Sequence, residues 1–257
     1  VYRCLATPRW LGLAALALLM AATMVGLGVW QLHRYHERSA INSRIDASAT
    51  AAPVPLASAV PPPAGSKRVG AMPPAGAAWT RVSITGEYDQ SHEILVRNRT
   101  VDGVVGFEVL TPLVLPDGTA VLVDRGWVRS PAGGATAVPQ VPPAPAGRVT
   151  VVGPVRLPES RADTAVRRAG RLEARRIDPA RAAPMLPYPL YNANVTVDTQ
   201  DPPEPASLTP IAPEHQNALQ NAGYVLQWWF FAALTLVGFG YLAHREAQRA
   251  AEPVGVS

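Results

Sequence analysis

Cysteine occurs once in the 257 residues, at Cys4, and lysine once, at Lys67. A single thiol excludes an intrachain disulfide and any thiolate cluster for zinc or copper. The formal net charge of +4 therefore rests on arginine, a bias that points to a GC-rich coding sequence more than to a binding mode. Catalytic signatures are missing too: there is no glycine-rich phosphate loop, no His-Glu-x-x-His pair and no Gly-x-Ser-x-Gly elbow. Ser91-His92-Glu93 imitates a triad on paper, but neighbours on a strand point to opposite faces, so it reads as coincidence. The basic stretches lack interleaved aromatics, which argues against nucleic acid as a partner. No enzyme activity is expected.

Two stretches lack charge altogether. Residues 10–31 read WLGLAALALLMAATMVGLGVWQ, and the helix from Trp10 to Trp30 would cover about 30 Å, the thickness of a bilayer core. Residues 224–243, YVLQWWFFAALTLVGFGYLA, are bordered by Tyr224, Trp228, Trp229 and Tyr241, rings favoured at membrane interfaces. Both are expected to span. The first is too long for the apolar core of a cleaved signal peptide, and the nearest cleavage-like triplet, Ala47-Ser48-Ala49, lies far downstream. Ala17, Ala21, Ala22 and Gly26 either let the second helix approach closely or are filler in an alanine-rich chain.

Two spans put both termini on one side. Arginines flank both ends of the first helix, but no Lys or Arg occurs from 201 to 223, as an extracytoplasmic flank requires. The expected arrangement is a cytoplasmic segment 1–9, transmembrane helix 10–31, extracytoplasmic domain 32–220, transmembrane helix 221–243 and cytoplasmic tail 244–257.

Between the helices, short β-type runs alternate with proline and glycine. Strands are predicted at 80–87, 92–98, 106–115, 119–128, 148–157, 171–177 and 190–198, with a hairpin turn at Pro116-Asp117-Gly118. Residues 159–170 read as a short helix or loop, and 51–76, 131–147 and 202–213 as Pro-rich linkers that are loops and not sites. The fold class is thus an α+β membrane protein: two transmembrane helices flank an antiparallel β-rich domain, with barrel and sandwich arrangements both open.

Five segments then stand out as an ordered set: LGVWQLHR at 27–34, GEYD at 86–89, ILVRNR at 94–99, GFEVLTPLVLPDGTAVLVDRGWV at 106–128 and GYVLQWWFFA at 223–232. With them the chain resembles the Surfeit locus protein 1 family of cytochrome c oxidase assembly factors. The resemblance implies a plasma-membrane protein of the respiratory chain that acts without catalysis, as a chaperone while haem a is placed in the catalytic subunit of a haem-copper oxidase. Oxidase subunits and membrane lipid are the implied partners. Haem a is an implied transient ligand.

The helix end has two readings: a helix terminus with an aromatic belt and a snorkelling Arg34, or, as the resemblance implies, a haem-binding motif in which Arg34 takes part. Trp30 can anchor at the interface, Gln31 can satisfy a polar neighbour, and Arg34 can reach phosphates or a carboxylate. Family resemblance adds Tyr224, Gln227 and Trp228 on the second helix, and a histidine three residues before the tyrosine, where this chain has Asn221. Iron ligation needs an imidazole or thioether, so His33 and His36, one helical turn apart, and then His215 are the remaining candidates. Arg97 and Arg99, expected on one strand face, and Arg125 beside Trp127 could hold haem propionates or an acidic partner, or form a local network with Asp102, Glu108 and Asp124. Between 159 and 181, an excess of arginine over acids reads as a solvated basic face, with anionic lipid or an acidic oxidase surface as the alternative. The competing function is a scaffold or accessory subunit that stays with the oxidase or a respiratory supercomplex and never touches haem.

Overall fold

The structure is a computed structural model that describes residues 6–64, 68–132, 138–159, 165–168, 170–204 and 208–251. Cys4 lies outside them. Contacts divide the chain into two compact units, one comprising residues up to Ser43 and from His215 onward, the other Arg44–Glu214.

The first unit is a helical hairpin. Helix α1 (Pro8–Thr50) runs well past the uncharged stretch, and α4 (Ala218–Ala251) returns antiparallel to it. On α4, Ala218, Asn221, Val225 and Ala232 are buried at spacings of three, four and seven, which place them on one face. Their counterparts on α1 are small: Ala17, Ala21 and Gly28 are buried, whereas Ala22 and Gly26 are exposed. Gly28 is the closest approach, because a Cβ there would lie 2.2 Å from Trp229 Nε1. Away from this seam the hairpin exposes Leu18, Leu19, Leu226, Phe230 and Val237. Only 11% of each apolar window is buried. Exposure on that scale is costly in water and natural in lipid, so the two helices have the profile of a two-pass membrane protein.

The second unit is built on a mixed sheet of ten strands. They are β1 (Val54–Pro55), β2 (Arg81–Tyr88), β3 (Ile94–Val101), β4 (Val104–Val114), β5 (Ala120–Arg129), β6 (Arg148–Arg156), β7 (Val166–Arg168), β8 (Arg171–Ala174), β9 (Leu190–Thr196) and β10 (Thr199–Asp201). Strand β2 pairs with both β6 and β4, so β2, β6, β9, β5 and β4 form a closed ring. This decides between sandwich and barrel in favour of a small barrel. The antiparallel expectation is corrected, because β1–β2, β3–β8 and β5–β9 are parallel. Turn chemistry announces hairpins between neighbours in sequence; it carries no information about strands brought together from distant parts of the chain.

Strand β5 is buried along almost its whole length because both faces are covered. Val121 and Val123 join Val82, Ile84, Leu113, Val151 and Val195 in one core, while Ala120 and Leu122 join Ile94, Val96, Leu110 and Leu190 in another. The second core is closed by α3 (Pro179–Ala182), whose first backbone N–H groups donate to the Asp178 side chain. The segment 159–170, expected to lack strand, contributes β7, held only by its pairing with β8; residues 160–164 and 169 lie outside the described residues. The segment read as a linker at 51–76 carries β1 and α2 (Leu56–Ala59), and its Val60 is fully buried.

Candidate functional site

At the end of the hairpin where α1 leaves the uncharged run, the contacts are amide to amide. Asn221 Nδ2 donates to Gln31 Oε1 at 2.6 Å, in the buried seam. Two turns further along α1, Arg38 donates to the Asn217 carbonyl at 3.1 Å. Asn42 clasps Gln216, donating to its carbonyl at 2.9 Å and accepting from its N–H at 2.7 Å. Gln31 thus serves as the polar partner that the sequence expects, and Asn221 is what it satisfies.

The other helix-end residues face outward. Trp30, His33, Arg34, His36, Tyr224 and Gln227 are exposed, and Trp228 is half-buried against Phe231. Arg34 pairs with Glu37 at 3.2 Å, one turn on, and His36 lies edge-on to Tyr35. His215 is exposed on the approach to α4. A haem iron bound at this end would need an imidazole or thioether turned into an enclosed site. Asn221 offers neither, His33 and His36 point away from the seam, and the Met24 sulfur accepts from Thr235 Oγ1 deeper in the hairpin. These donors do not fit a haem ligated here.

In the β-rich unit, Asp124, Arg125 and Gly126 sit at a bulge in β5, where Leu110 faces Asp124, Val109 faces Gly126, and Arg125 is the extra residue. Gly126 takes φ 138°, which a side chain would resist, and its approach to the 208–209 backbone leaves no room for a Cβ. The bulge turns Arg125 inward, to 0% side-chain exposure. Its guanidinium pairs with Glu93 at 3.3 Å and with Glu204, donates to the Pro142 carbonyl at 3.1 Å, and lies 5.7 Å from the Tyr88 ring centre. Tyr88 in turn donates to Gln200 at 2.8 Å, and Gln200 to Glu204 at 2.9 Å. Burial pushes Glu93 above the usual carboxylate range, with Arg125 and Arg171 opposing, and burial also raises the Tyr88 phenol.

The opposite face of the sheet carries a second cluster. Arg99 pairs with Glu108 at 3.1 Å and with Glu159 at 2.5 Å, and Arg156 stacks on Trp79 at 3.9 Å. Burial, then the nearby Glu108, raises Asp124 well above its ordinary range; burial likewise raises Glu108 and lowers Arg156. Arg97 is elsewhere. A bulge at Asn98, whose φ is 59°, sets Arg97 opposite Phe107 and Arg99 opposite Gly106. The expectation of one shared face is therefore corrected: Arg97 and Arg99 point to opposite faces, and Arg97 pairs with Glu173 at 3.5 Å. Asp102 is not among their partners. Trp127 is buried, donating from its indole to the Arg99 carbonyl at 3.0 Å.

Ser91 and His92 lie in a short 3-10 turn, not on a strand. The acid beside the imidazole is Asp89, at 2.7 Å from His92 Nδ1, while Ser91 Oγ reaches the same nitrogen at 3.0 Å. A nucleophile and its orienting acid must engage opposite ring nitrogens, so this is no triad. Burial alone would raise Asp89, but hydrogen bonds from Ser91 and His92 outweigh it and lower the carboxyl.

The pattern of the SURF1 family matches residues 18–233. The chain belongs to the SURF1 family. An uncharacterised SURF1-like protein of Mycobacterium bovis is 31% identical over 244 residues, covering 93% of this chain and 85% of the relative. One from Mycobacterium tuberculosis shows the same figures. Surfeit locus protein 1 of Takifugu rubripes is 30% identical over 160 residues, 56% of this chain and 61% of the relative. Within the SURF1 match lie both the Gln31–Asn221 pair and the Arg125 cluster. Sequence reasoning missed Glu93, Tyr88 and Glu204 as partners of Arg125, and Gln200 as the link between Tyr88 and Glu204, and it placed Glu204 in a linker without a site. The signal available was the Asp-Arg-Gly step, where an arginine precedes glycine within an otherwise apolar strand.

Proposed function

We propose that this protein is a non-catalytic maturation factor for a haem-copper cytochrome c oxidase, acting while haem a enters the catalytic subunit and working through protein contacts rather than by ligating the iron. Membership of the SURF1 family, a family of oxidase assembly factors, over residues 18–233 is the observation that carries the assembly role. The seam supports this manner of action, since the amide of Asn221 is engaged by Gln31. The β-rich unit would lie on the outer face of the plasma membrane, with both termini inside. Its arginines support a structural role, because Arg97, Arg99 and Arg125 already have carboxylates of their own.

Deleting the gene is expected to lower the a-type haem absorbance of the membranes; an unchanged absorbance would sink the assembly role, and loss of supercomplex with intact oxidase would favour a scaffold. A pyridine-haemochrome spectrum of the full chain, purified in mild detergent from cells that make haem a, should show no haem while oxidase subunits co-purify. Near-stoichiometric haem a, lost on substitution of His33, His36 or His215, would overturn action without ligation. Asn221→His should gain haem that the parent does not retain.

A further inference from the structure

We propose that the cleft between α1 and α4, at the end where α1 begins and α4 finishes, binds one anionic phospholipid, with its phosphate held by Arg9, Arg245 and Arg249 and an acyl chain against the apolar floor. The cleft encloses about 460 Å³. That lies within the range of about 300–1,000 Å³ typical of small-molecule sites. Leu13, Met20, Phe239 and Leu242 line it, and Trp10 sits edge-on to Phe239 with ring centres 6.2 Å apart. A hydrocarbon chain fits such walls.

The rim decides the headgroup. Three arginines and a single acid, Glu246, border the cleft. Among the described residues none of the three forms an ion pair, and Arg245 lies 5.9 Å from the centre of the Tyr241 ring. The other end of the same hairpin is arranged differently: Arg34 pairs with Glu37, and Arg38 donates to the Asn217 carbonyl. The cations at the cleft therefore gather as like charges without internal neutralisation, which an external anion supplies. Guanidinium forks match phosphate oxygens two at a time. A zwitterionic headgroup brings its own ammonium into this cluster and is disfavoured, whereas a phosphatidylglycerol-type headgroup is not.

Depth agrees. Arg9 precedes Trp30 by about six helical turns, or about 32 Å along α1. With Trp30 at one interface, Arg9 falls at phosphate level in the opposite leaflet. This inference rests on the two helices spanning a bilayer and is independent of any role in oxidase assembly.

Native mass spectrometry of the delipidated full chain in neutral detergent, with dioleoylphosphatidylglycerol and dioleoylphosphatidylcholine at equal concentration, tests it. One glycerol lipid should be retained several-fold better than the choline lipid. The Arg245→Gln/Arg249→Gln double variant should erase that preference, Leu16→Trp should lower retention by filling the floor with the arginines intact, and Arg148→Gln, on β6, should change nothing. Circular dichroism confirms that each variant keeps its helices. Equal retention of the two lipids overturns the proposal. So does a preference that survives the double variant, which would mean arginines contacting bulk phosphates one by one, and so does a haem retained in the cleft in place of lipid.

Discussion

Where α1 meets α4, the polar contact in the seam joins neutral amides, the buried Asn221 and the half-buried Gln31, whereas the β-rich unit buries a charge, Arg125 between Glu93 and Glu204, and a carboxyl, Asp124, near Glu108. The difference follows from what surrounds each group. An ion on a helix facing lipid has nothing to replace its hydration, so an amide with one strong partner is the cheaper polar contact there. Inside the β-rich unit, backbone carbonyls, an aromatic ring and a second carboxylate can surround one guanidinium, and the bulge in β5 aims it into that setting. The amide pair can therefore lose a member mildly; the charged cluster cannot.

The largest test of that contrast is Arg125→Met. It leaves the half-buried Glu204 without its cation and Glu93 with only Arg171, 3.5 Å away, a loss expected to cost about 3–5 kcal/mol, read as a lower midpoint of thermal unfolding for the full chain in detergent. Adding Glu93→Gln and Glu204→Gln should restore much of the loss, while an unchanged midpoint in the single variant would break the contrast. Gln31→Leu is expected to cost less, about 0.6–1.7 kcal/mol. In a double-mutant cycle with Asn221→Leu, the combined effect should fall short of the sum; strict additivity would mean that the two amides do not support each other.

The smallest effects concern pH. Because Asp124 holds its proton to a higher pH than it would in the unfolded chain, its contribution is full below the ordinary carboxylate range and declines as pH rises through the raised value. Asp124→Asn should flatten that part of the stability curve. Asp89 has the opposite sign: its lowered carboxyl stabilises above the ordinary range and loses that effect as acid protonates it. Asp89→Asn should therefore blunt the acid limb only, and a shift of the same sign in both variants would refute the assignment.

The seven predicted strands correspond to β2–β6, β8 and β9 because each is long enough to show apolar runs bounded by turn residues. Strands β1, β7 and β10 have two or three residues, too few for any period, and exist only through their partners. The bulges at Asn98 and Arg125 defeated alternation as a guide to faces, since one extra residue reverses the count. In the hairpin, the expectation of close packing through small residues identified Ala17 and Ala21 but chose Gly26 where Gly28 meets Trp229, because a helix face two residues away is a different face. The partners of Arg125 were illegible for another reason. Glu204 lies 79 positions away in sequence, in a stretch whose prolines mask the one carboxylate that matters.

The closed ring of β2, β6, β9, β5 and β4 also bears on how the protein avoids its own copies. Strands within a ring have no open edge on which another chain can add. What remains at the edges of the sheet is β1, two residues finishing in Pro55, β7, three residues including Arg167 and Arg168, and β10, three residues paired to β6. A proline that cannot donate and a pair of like charges make poor templates for a strand from a neighbour. Edges so short leave the sheet little backbone on which to grow into a polymer.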